Sequence, residues 1–258
     1  MRYLTTALVV LTVVVAGCNS AGIGGTPTAA VNGTETGTAA DGPTRASVDA
    51  SAVPGADGST VTDNTALLRA YYEAIQTGPT EYETTYERDG TERLGFEFRN
   101  DTRQQRYVLR TSTRQNTIYV DGDTGALRNE TSGEIIYSNE TNAIADAGDY
   151  LRPTYTQFTL NFIFPGEWEA TDTTTVHGEE HYVLEATGLN ESRVAVLPVS
   201  AESVSSMDGR LVVGADGVVH SGNVTLHGET DITLTYATRT DDGIDVTAPD
   251  WYDESQAS

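Results

Sequence analysis

Hydrophobic positions recur every three or four residues in one early segment of the chain. The apolar residues that share a helical face there are Leu67, Ala70, Tyr71, Ala74 and Ile75. Asp63 or Asn64 is a suitable N-cap. Gly78-Pro79 is a suitable end, because glycine fits a left-handed terminal position and proline cannot continue a helix. The pattern predicts an amphipathic helix over about residues 65–76.

After this helix, apolar and polar residues alternate, which is typical of antiparallel strands with one buried and one solvated face. The positions on the predicted buried face are Tyr82, Thr84, Tyr86, Leu94, Phe96, Phe98, Tyr107, Leu109, Thr111, Tyr182, Leu184, Ala186, Ile232, Leu234 and Tyr236. Asp-Gly pairs, which favour two-residue hairpin turns, occur at 89–90, 121–122, 208–209, 216–217 and 242–243. His177-Gly178 and His227-Gly228 indicate further turns. The pattern predicts a meander of about nine to eleven strands.

One apolar segment, residues 139–164, lacks this alternation. Thr141 or Asn139 can cap a helix there. Pro153 is expected to break or kink it, because proline has no N–H to donate to the preceding turn. We therefore expect one short helix followed by a loop or a second helix. A sheet with one apolar face needs a cover, so the fold class is predicted to be α+β, with the two helical segments covering an antiparallel sheet.

The N-terminal residues combine Arg2, an apolar run over 4–16 and the only cysteine of the chain, Cys18. The run of roughly 13 residues is too short to span a bilayer, which takes about 20, and it is predicted to belong to a signal peptide. Val15-Ala16-Gly17-Cys18 resembles the lipobox of prokaryotic lipoproteins. That resemblance implies cleavage before Cys18, a lipid on its sulfur and attachment to the extracytoplasmic face of the cell membrane. An ordinary signal peptide with an incidental cysteine is the alternative.

The segment that follows is rich in Gly, Ala, Thr, Ser and Pro and has few large apolar residues. Such a composition does not bury enough apolar surface to offset the entropy lost on ordering. The predicted organisation is therefore a signal peptide over 1–17, a lipid-anchored flexible stalk over 18–61, a single domain over 62–250 and a tail over 251–258.

The chain has a net charge of -23, from 38 acidic and 15 basic residues, and all of the basic residues are arginine. This composition looks like that of extreme halophiles, in which salt screens the self-repulsion of an acidic surface. It argues against nucleic-acid binding, which needs cations to neutralise phosphates. Asn-x-Ser/Thr sequons, which are candidates for N-glycosylation at exposed positions, occur at Asn32, Asn100, Asn129, Asn139, Asn190 and Asn223.

The known catalytic motifs are absent: there is no G-x-S-x-G, no glycine-rich phosphate loop and no Cys–His pair. We predict a protein that is not an enzyme and has no catalytic residues, cofactor or metal. His177-Gly-Glu-Glu-His181 differs from the helical H-E-x-x-H zinc pattern and favours a hairpin turn. The segment 121–125, Asp-Gly-Asp-Thr-Gly, resembles half of a calcium loop but lacks the later ligands; a turn is favoured over an adventitious cation site.

Two sets of side chains are candidates for binding. The strand phases place Arg93, Arg99, Arg106 and Arg110 on the face opposite the aromatic residues. They either pair across strands with acidic residues such as Glu81, Glu83 and Glu87, or form a patch for an anionic partner, such as a lipid headgroup or an acidic glycan.

The second set is aromatic, and its members are Tyr82, Tyr86, Phe96, Phe98, Tyr107, Tyr119, Phe158, Phe162 and Tyr182. These residues either fill the core completely or line a cavity between sheet and helices with room for a lipid-like ligand. The sequence leaves both alternatives open.

The order of lipobox, stalk, helix, strand meander, apolar helical insert and second meander resembles the lipoprotein-carrier and mycobacterial lipoprotein (LolA/LppX-like) superfamily, and a group of haloarchaeal lipoproteins. Local sequence shared with this layout lies at Trp168-Glu169-Ala170, Val176-His177-Gly178 and Tyr182-Val183-Leu184. Over about residues 62–250, the resemblance implies a half-barrel whose curved antiparallel sheet encloses an apolar cavity on its concave, helix-covered side.

Two functions are consistent with these observations. The first is a lipid-anchored, non-enzymatic protein that binds a hydrophobic ligand, with the insert near 140–164 as a gate. The alternative is a structural or interaction module of the cell envelope with a filled core. A lipid-sized cavity would favour the first.

Overall fold

The computed structural model describes residues 47–101, 103–138, 141–196 and 204–252. These residues all belong to the compact unit that begins at Ser47. The predicted signal peptide, the lipid-attachment residue Cys18 and the sequons at Asn32 and Asn139 lie outside the described residues, as does the tail from residue 253.

The described residues form two α-helices and thirteen strands. The helices are α1 (Asn64–Thr77) and α2 (Thr141–Ile163), and a 3-10 helix spans Glu191–Val196. The strands are β1 (Ala56–Asp57), β2 (Thr60–Val61), β3 (Thr80–Arg88), β4 (Thr91–Asn100), β5 (Gln104–Arg110), β6 (Arg114–Asp121), β7 (Thr124–Thr131), β8 (Glu134–Ser138), β9 (Gly166–Val176), β10 (Glu179–Leu189), β11 (Val204–Val213), β12 (Val219–Gly228) and β13 (Ile232–Arg239).

All thirteen strands belong to one antiparallel sheet, in the order β1-β2-β9-β10-β11-β12-β13-β3-β4-β5-β6-β7-β8. The sheet is open, with β1 and β8 as its edges, which confirms the predicted α+β class with an antiparallel half-barrel sheet. Without the two-residue strands β1 and β2, eleven strands remain, within the predicted nine to eleven. The helices cover the face that carries Phe96; we call the opposite face the outer face.

Helix α1 matches its prediction closely. The Asp63 carboxylate caps it by accepting hydrogen bonds from the N–H groups of Thr65 and Ala66, at 2.9 and 3.1 Å. Its apolar stripe is buried against the sheet, and the Tyr71 hydroxyl lies 2.7 Å from the Thr238 hydroxyl of β13. The helix end differs from expectation, because Gly78 is extended (φ -144°) instead of left-handed.

Helix α2 runs without interruption through Pro153, so the predicted break there is wrong. Proline removes one hydrogen bond from the helix and costs roughly 3 kcal/mol relative to alanine. Burial compensates this loss, because the helix packs Tyr155, Leu160, Phe162 and Ile163 against the sheet. Tertiary packing therefore outweighs the local preference of proline.

The folded unit begins earlier than the predicted boundary at residue 62. Strands β1 and β2 lie within the segment assigned to the stalk, and Val53 and Val61 are buried. Backbone hydrogen bonds from Val48 N–H to the Ala170 carbonyl (3.0 Å) and from Ala170 N–H to the Ser59 carbonyl (2.7 Å) join this segment to β9. The few apolar residues suffice because an existing sheet edge supplies their partners.

The C-terminal segment packs on the outer face. Val246 is buried, and its N–H donates a hydrogen bond of 3.1 Å to the Asp101 carboxylate. The Tyr252 ring lies 4.6 Å from the Tyr119 ring. Residues 251–252, assigned to a tail from the sequence, therefore belong to the folded unit. This cover also explains why Tyr119 is buried on the face opposite the helices.

The predicted turns divide into two groups. Asp89-Gly90 and His177-Gly178 form two-residue hairpins with positive φ at both positions, as type I′ turns require. Asp208-Gly209, in contrast, lies inside β11 and pairs with β12. A Cβ atom on Gly209 would lie 2.6 Å from the Trp168 ring. Glycine occupies this strand position because the indole of Trp168 packs directly on the backbone.

Candidate functional site

Aromatic side chains from the sheet and from α2 meet on the helix-covered face, and we call this set the aromatic layer. Its members are Tyr82, Tyr86, Phe96, Phe98, Tyr107, Tyr155, Phe158 and Phe162. The alternation of β3, β4 and β5 points their aromatic residues to this face. Phe96 and Tyr155 stack with ring centroids 4.0 Å apart, and Phe98 and Tyr107 lie 4.8 Å apart. The rings touch one another and form a layer between the sheet and α2.

Threonine hydroxyls surround the Tyr82 hydroxyl within this layer. The Tyr82 hydroxyl bonds to the Thr159 hydroxyl, and the Thr84 hydroxyl lies 3.4 Å from the same group. Burial raises the pKa of Tyr82 to about 12, and the hydrogen bond with Thr159 opposes this shift. Burial also raises the pKa of Tyr155. Tyr82 and Tyr155 are therefore neutral at physiological pH, and the Tyr82 hydroxyl has a hydrogen-bond partner within the layer.

One end of the layer is open to solvent at Phe158, which is half-buried. Its ring lies 5.9 Å from that of Tyr86 and 5.3 Å from that of Phe162, both of which are buried. A large apolar ring at the accessible end of a buried aromatic row offers a route by which an apolar chain can reach the layer.

A cation borders the layer near the end of α1. The guanidinium of Arg152 lies 5.2 Å above the Phe98 ring, a cation–π geometry. It also donates a hydrogen bond to the Ile75 carbonyl in the last turns of α1, where the helix dipole favours positive charge. Sequence analysis did not single out Arg152, because a lone arginine beside a proline carries no recognisable pattern.

Seven of the nine aromatic residues proposed for a ligand cavity lie in the aromatic layer; Tyr119, which is on the outer face, and Tyr182 do not. Tyr182 is half-buried in β10, which is four strands from β3 in the sheet and so about 19 Å away. The register irregularity at Val183 and Leu184 leaves Thr171 of β9 unpaired, and β10 itself alternates regularly through Tyr182, so distance along the sheet separates Tyr182 from the aromatic layer. Tyr155 was missed, although its spacing from Phe158 and Phe162 on one helical face was a usable signal.

The arginine cluster lies largely in cross-strand ion pairs. Arg99 is 2.5 Å from Glu81, and Arg110 pairs with Glu97. Strand register explains these contacts, since β3 places Glu81 directly opposite Arg99. Arg93 is exposed at the irregularity between β3 and β4, and Arg106 is half-buried opposite Arg99. The contacts support the cross-strand alternative for Arg99 and Arg110 over a free anionic-partner patch.

The two motifs with metal-like spacing form turns. His177 lies in the hairpin between β9 and β10, whereas His181 is buried. In the second motif, the Asp121 carboxylate accepts hydrogen bonds from Arg103 (2.9 Å) and Gln104 (3.2 Å). Within the described ranges, no three His, Cys, Asp or Glu side chains converge into a group that could hold a metal ion.

The described sequons differ in exposure. Asn100 is buried and its amide donates a 3.1 Å hydrogen bond to the Gly78 carbonyl, so a glycan there is incompatible with this fold. Asn129 and Asn190 are half-buried, and Asn223 is exposed on β12. Among these four asparagines, Asn223 is the most accessible for modification.

His220 is expected to make the fold sensitive to acid. Its ring lies 4.3 Å from that of His181, and burial, followed by the effect of His181, lowers the pKa of His220 below its ordinary value of 6.5. The unfolded chain binds this proton more readily, so the stability should be full above pH 6.5 and fall as the pH drops through the lower folded-state pKa. Urea unfolding of the wild type and of His220→Gln from about pH 7.5 to about pH 5 tests this, because the range brackets the ordinary histidine pKa of about 6.5.

His227 provides the matched comparison, because its pKa shifts in the opposite direction. Hydrogen bonding to Asp208 (3.0 Å) raises the pKa of His227, with a further contribution from Asp231 (3.2 Å). Its contribution to stability is full below pH 6.5 and is lost as the pH rises through the raised folded-state pKa. His227→Gln should therefore change the profile on the alkaline side, and identical profiles for the two variants would contradict the assignment.

Neither described helix is long and apolar enough to cross a membrane. No family model matches the chain, and no curated protein matches it. Solved structures similar to it include LprF from Mycobacterium bovis, with 9% identity over 75% of this chain and 99% of that chain and a TM-score of 0.38. The Mycobacterium tuberculosis lipoprotein LppX shares 15% identity over 68% of this chain and 95% of that chain, also with a TM-score of 0.38.

A LolA superfamily protein from Nitrosomonas europaea is similar as well, with 12% identity over 69% of this chain and 94% of that chain and a TM-score of 0.21. LppX and the LolA superfamily are also the names in the resemblance drawn from the order of sequence elements. Likenesses at this level of identity concern the architecture and say nothing about a ligand.

Proposed function

We propose that this protein is a non-enzymatic, lipid-anchored protein of the extracytoplasmic membrane face that binds the apolar chain of a lipid-like ligand between its sheet and α2. The observation that carries the proposal is the aromatic layer, which is buried along its length and reaches solvent at Phe158. The predicted lipidation of Cys18 supplies the anchor, and the acidic surface keeps the domain soluble beside the membrane.

The energetics favour replacing contacts between the rings with contacts to the apolar chain of a ligand. Each buried methylene contributes about 0.8 kcal/mol, whereas an aromatic pair contributes about 0.5–1.5 kcal/mol beyond its buried area. A ligand chain that enters beside Phe158 separates Phe158 from Tyr86 and Phe162. An outward shift of α2 also opens the hydrogen bond between Tyr82 of β3 and Thr159 of α2, which offsets part of the gain.

Helix α2 is the element that moves away from the sheet to admit the apolar chain of the ligand. The rings are in direct contact when α2 is seated, so binding requires the helix to shift outward. Pro153 lies inside α2 and removes one of its hydrogen bonds, which makes this position the preferred hinge.

The second candidate is an interaction module of the cell envelope. The direct ring contacts favour it, because a layer that is already filled needs no ligand for its stability. In that case α2 would stay seated, and the functional surface would lie elsewhere on the domain.

Native mass spectrometry of the full-length protein, released from the membrane in detergent and kept in the highest tolerated volatile salt, separates the two candidates. A lipid-sized mass that is lost on denaturation supports the ligand, whereas a covalent lipid on Cys18 survives denaturation. Phe158→Arg should abolish the non-covalent mass, and Gln157→Arg, at an exposed neighbouring position, should keep it. A wild-type protein without any non-covalent adduct would favour the interaction module.

A further inference from the structure

The edge strand β8 differs from the rest of the described surface. Ile135, Ile136 and Tyr137 are consecutive in this strand and are 43%, 57% and 54% exposed. Tyr150, at 55%, is the other large hydrophobic residue that is exposed among the described residues. Strand β8 pairs with β7 on one side and has no described partner on its other side.

Natural sheet edges are usually protected by charges, prolines or bulges, because their unpaired N–H and C=O groups attract other strands. In β8, the single charge is Glu134 at the start of the strand, and the register with β7 is regular over all five residues. We propose that β8 is an interface between two copies of this chain, in which the two β8 strands pair antiparallel about a twofold axis at Ile136.

The exposed side chains lie on both faces of the sheet. Ile136 is opposite Asn129, and Asn129 is opposite Asn116. Asn116 is opposite Leu109, and Leu109 is opposite Phe96. Ile136 therefore lies on the helix-covered face. Ile135 and Tyr137 therefore lie on the outer face, where Tyr137 is 5.9 Å from Trp251. A lipid surface would contact one face of this edge, whereas an added strand covers both, so the distribution favours a strand as the occupant.

The sequence of β8 is complementary to itself in this register. Ile136 is then opposite Ile136 of the partner subunit, and Ile135 is opposite Tyr137 of the partner subunit. Glu134 is opposite Ser138 of the partner subunit, so the two carboxylates are four residues apart, about 13 Å along the strand. That separation exceeds the Debye length of about 10 Å at 0.1 M salt. Several registers would keep each face of the sheet continuous. Of these, the register centred on Ile136 is the one that pairs all five residues of β8.

Charge restricts where a second copy can dock. The chain carries a net charge of -23, so two copies repel each other over most of their surface, as each repels an anionic membrane. The uncharged centre of β8 is a place where two copies can meet without opposing carboxylates. A five-residue edge is small for a stable interface, so we expect a weak dimer, which two copies held on one membrane would favour through their effective concentration.

Cysteine cross-linking tests this register. In the full-length chain carrying Cys18→Ser, the introduced cysteine is the only thiol. Directly opposite residues in antiparallel strands have Cα atoms about 4.5–5.5 Å apart, within the range that a disulfide spans. Ile136→Cys should therefore form a covalent dimer under mild oxidation. Ile135→Cys should stay monomeric, because its own counterpart is about 8 Å away, but should cross-link to Tyr137→Cys when the two are mixed.

Tyr150→Cys is the control for random collision, since Tyr150 is as exposed as Ile136 but lies on α2. Circular dichroism checks that each variant is folded. Cross-linking of Ile136→Cys at least about tenfold above Tyr150→Cys supports the proposal. Equal cross-linking of the two, or a folded Ile136→Cys that stays monomeric, overturns it; so does cross-linking of Ile135→Cys alone, which requires another register.

Discussion

Replacing Trp168 with alanine is expected to lower the free energy of unfolding by about 3–5 kcal/mol. The indole is fully buried in β9, and its Nε1 donates a 3.0 Å hydrogen bond to the Ile163 carbonyl at the end of α2. Its removal leaves a cavity between sheet and helix and deprives that carbonyl of its donor. Urea unfolding at constant high salt measures the loss, with the half-buried Trp251→Ala as control.

A double-mutant cycle with Gly209→Ala tests whether the indole is the reason for glycine in β11. In the wild type, the added Cβ atom would lie 2.6 Å from the Trp168 ring, so Gly209→Ala should cost about 1–3 kcal/mol through overpacking. In the Trp168→Ala background the same methyl group has room and should cost much less. Strictly additive effects would show that the two positions do not interact.

Fixing α2 to the sheet by a disulfide is expected to block ligand exchange. A Cβ atom at Gly125 would lie 3.3 Å from the Cβ atom of Ile144, close to the mean of about 3.8 Å in disulfides. The disulfide of Gly125→Cys/Ile144→Cys, built with Cys18→Ser, would stabilise the seated helix by about 2–4 kcal/mol. Exchange of a fluorescent fatty acid should then slow more than about tenfold, since about 1.4 kcal/mol corresponds to a factor of ten.

Reduction of the same protein is the internal control, because it opens the disulfide without changing the sequence. Exchange should return to the rate of Cys18→Ser alone. Each single-cysteine variant should behave like the reduced protein. Exchange that stays fast while mass spectrometry shows a complete disulfide would rule out the N-terminal part of α2 as the element that moves.

The local sequence determined much of the fold. Helix α1 follows from its apolar stripe and the cap at Asp63, and β3, β4 and β13 follow from strict alternation. The sheet part of the aromatic layer follows from the same alternation, since the phase of a strand fixes which side chains share a face. The Asp89-Gly90 hairpin alone would put Phe98 opposite Glu81, and the extra residue Arg93 in β4 shifts the register so that Arg99 lies opposite Glu81.

Only the tertiary structure decided the rest. Helix α2 continues through Pro153 because its apolar residues are buried against the sheet. Residues 47–61 join the sheet because β9 offers them an edge. The order of strands in the sheet puts β10 four strands from β3 and so separates Tyr182 from the aromatic layer.

In the candidate site, the accessibility of Phe158 and the position of Arg152 beside Phe98 depend on how α2 is seated on the sheet. The periodicity of the sequence predicts which way each side chain points from its own strand or helix, and this direction is a local property. Contacts such as Trp168 with Gly209 join residues distant in the chain, and their energies outweigh local preferences only once the whole sheet and its helices are assembled.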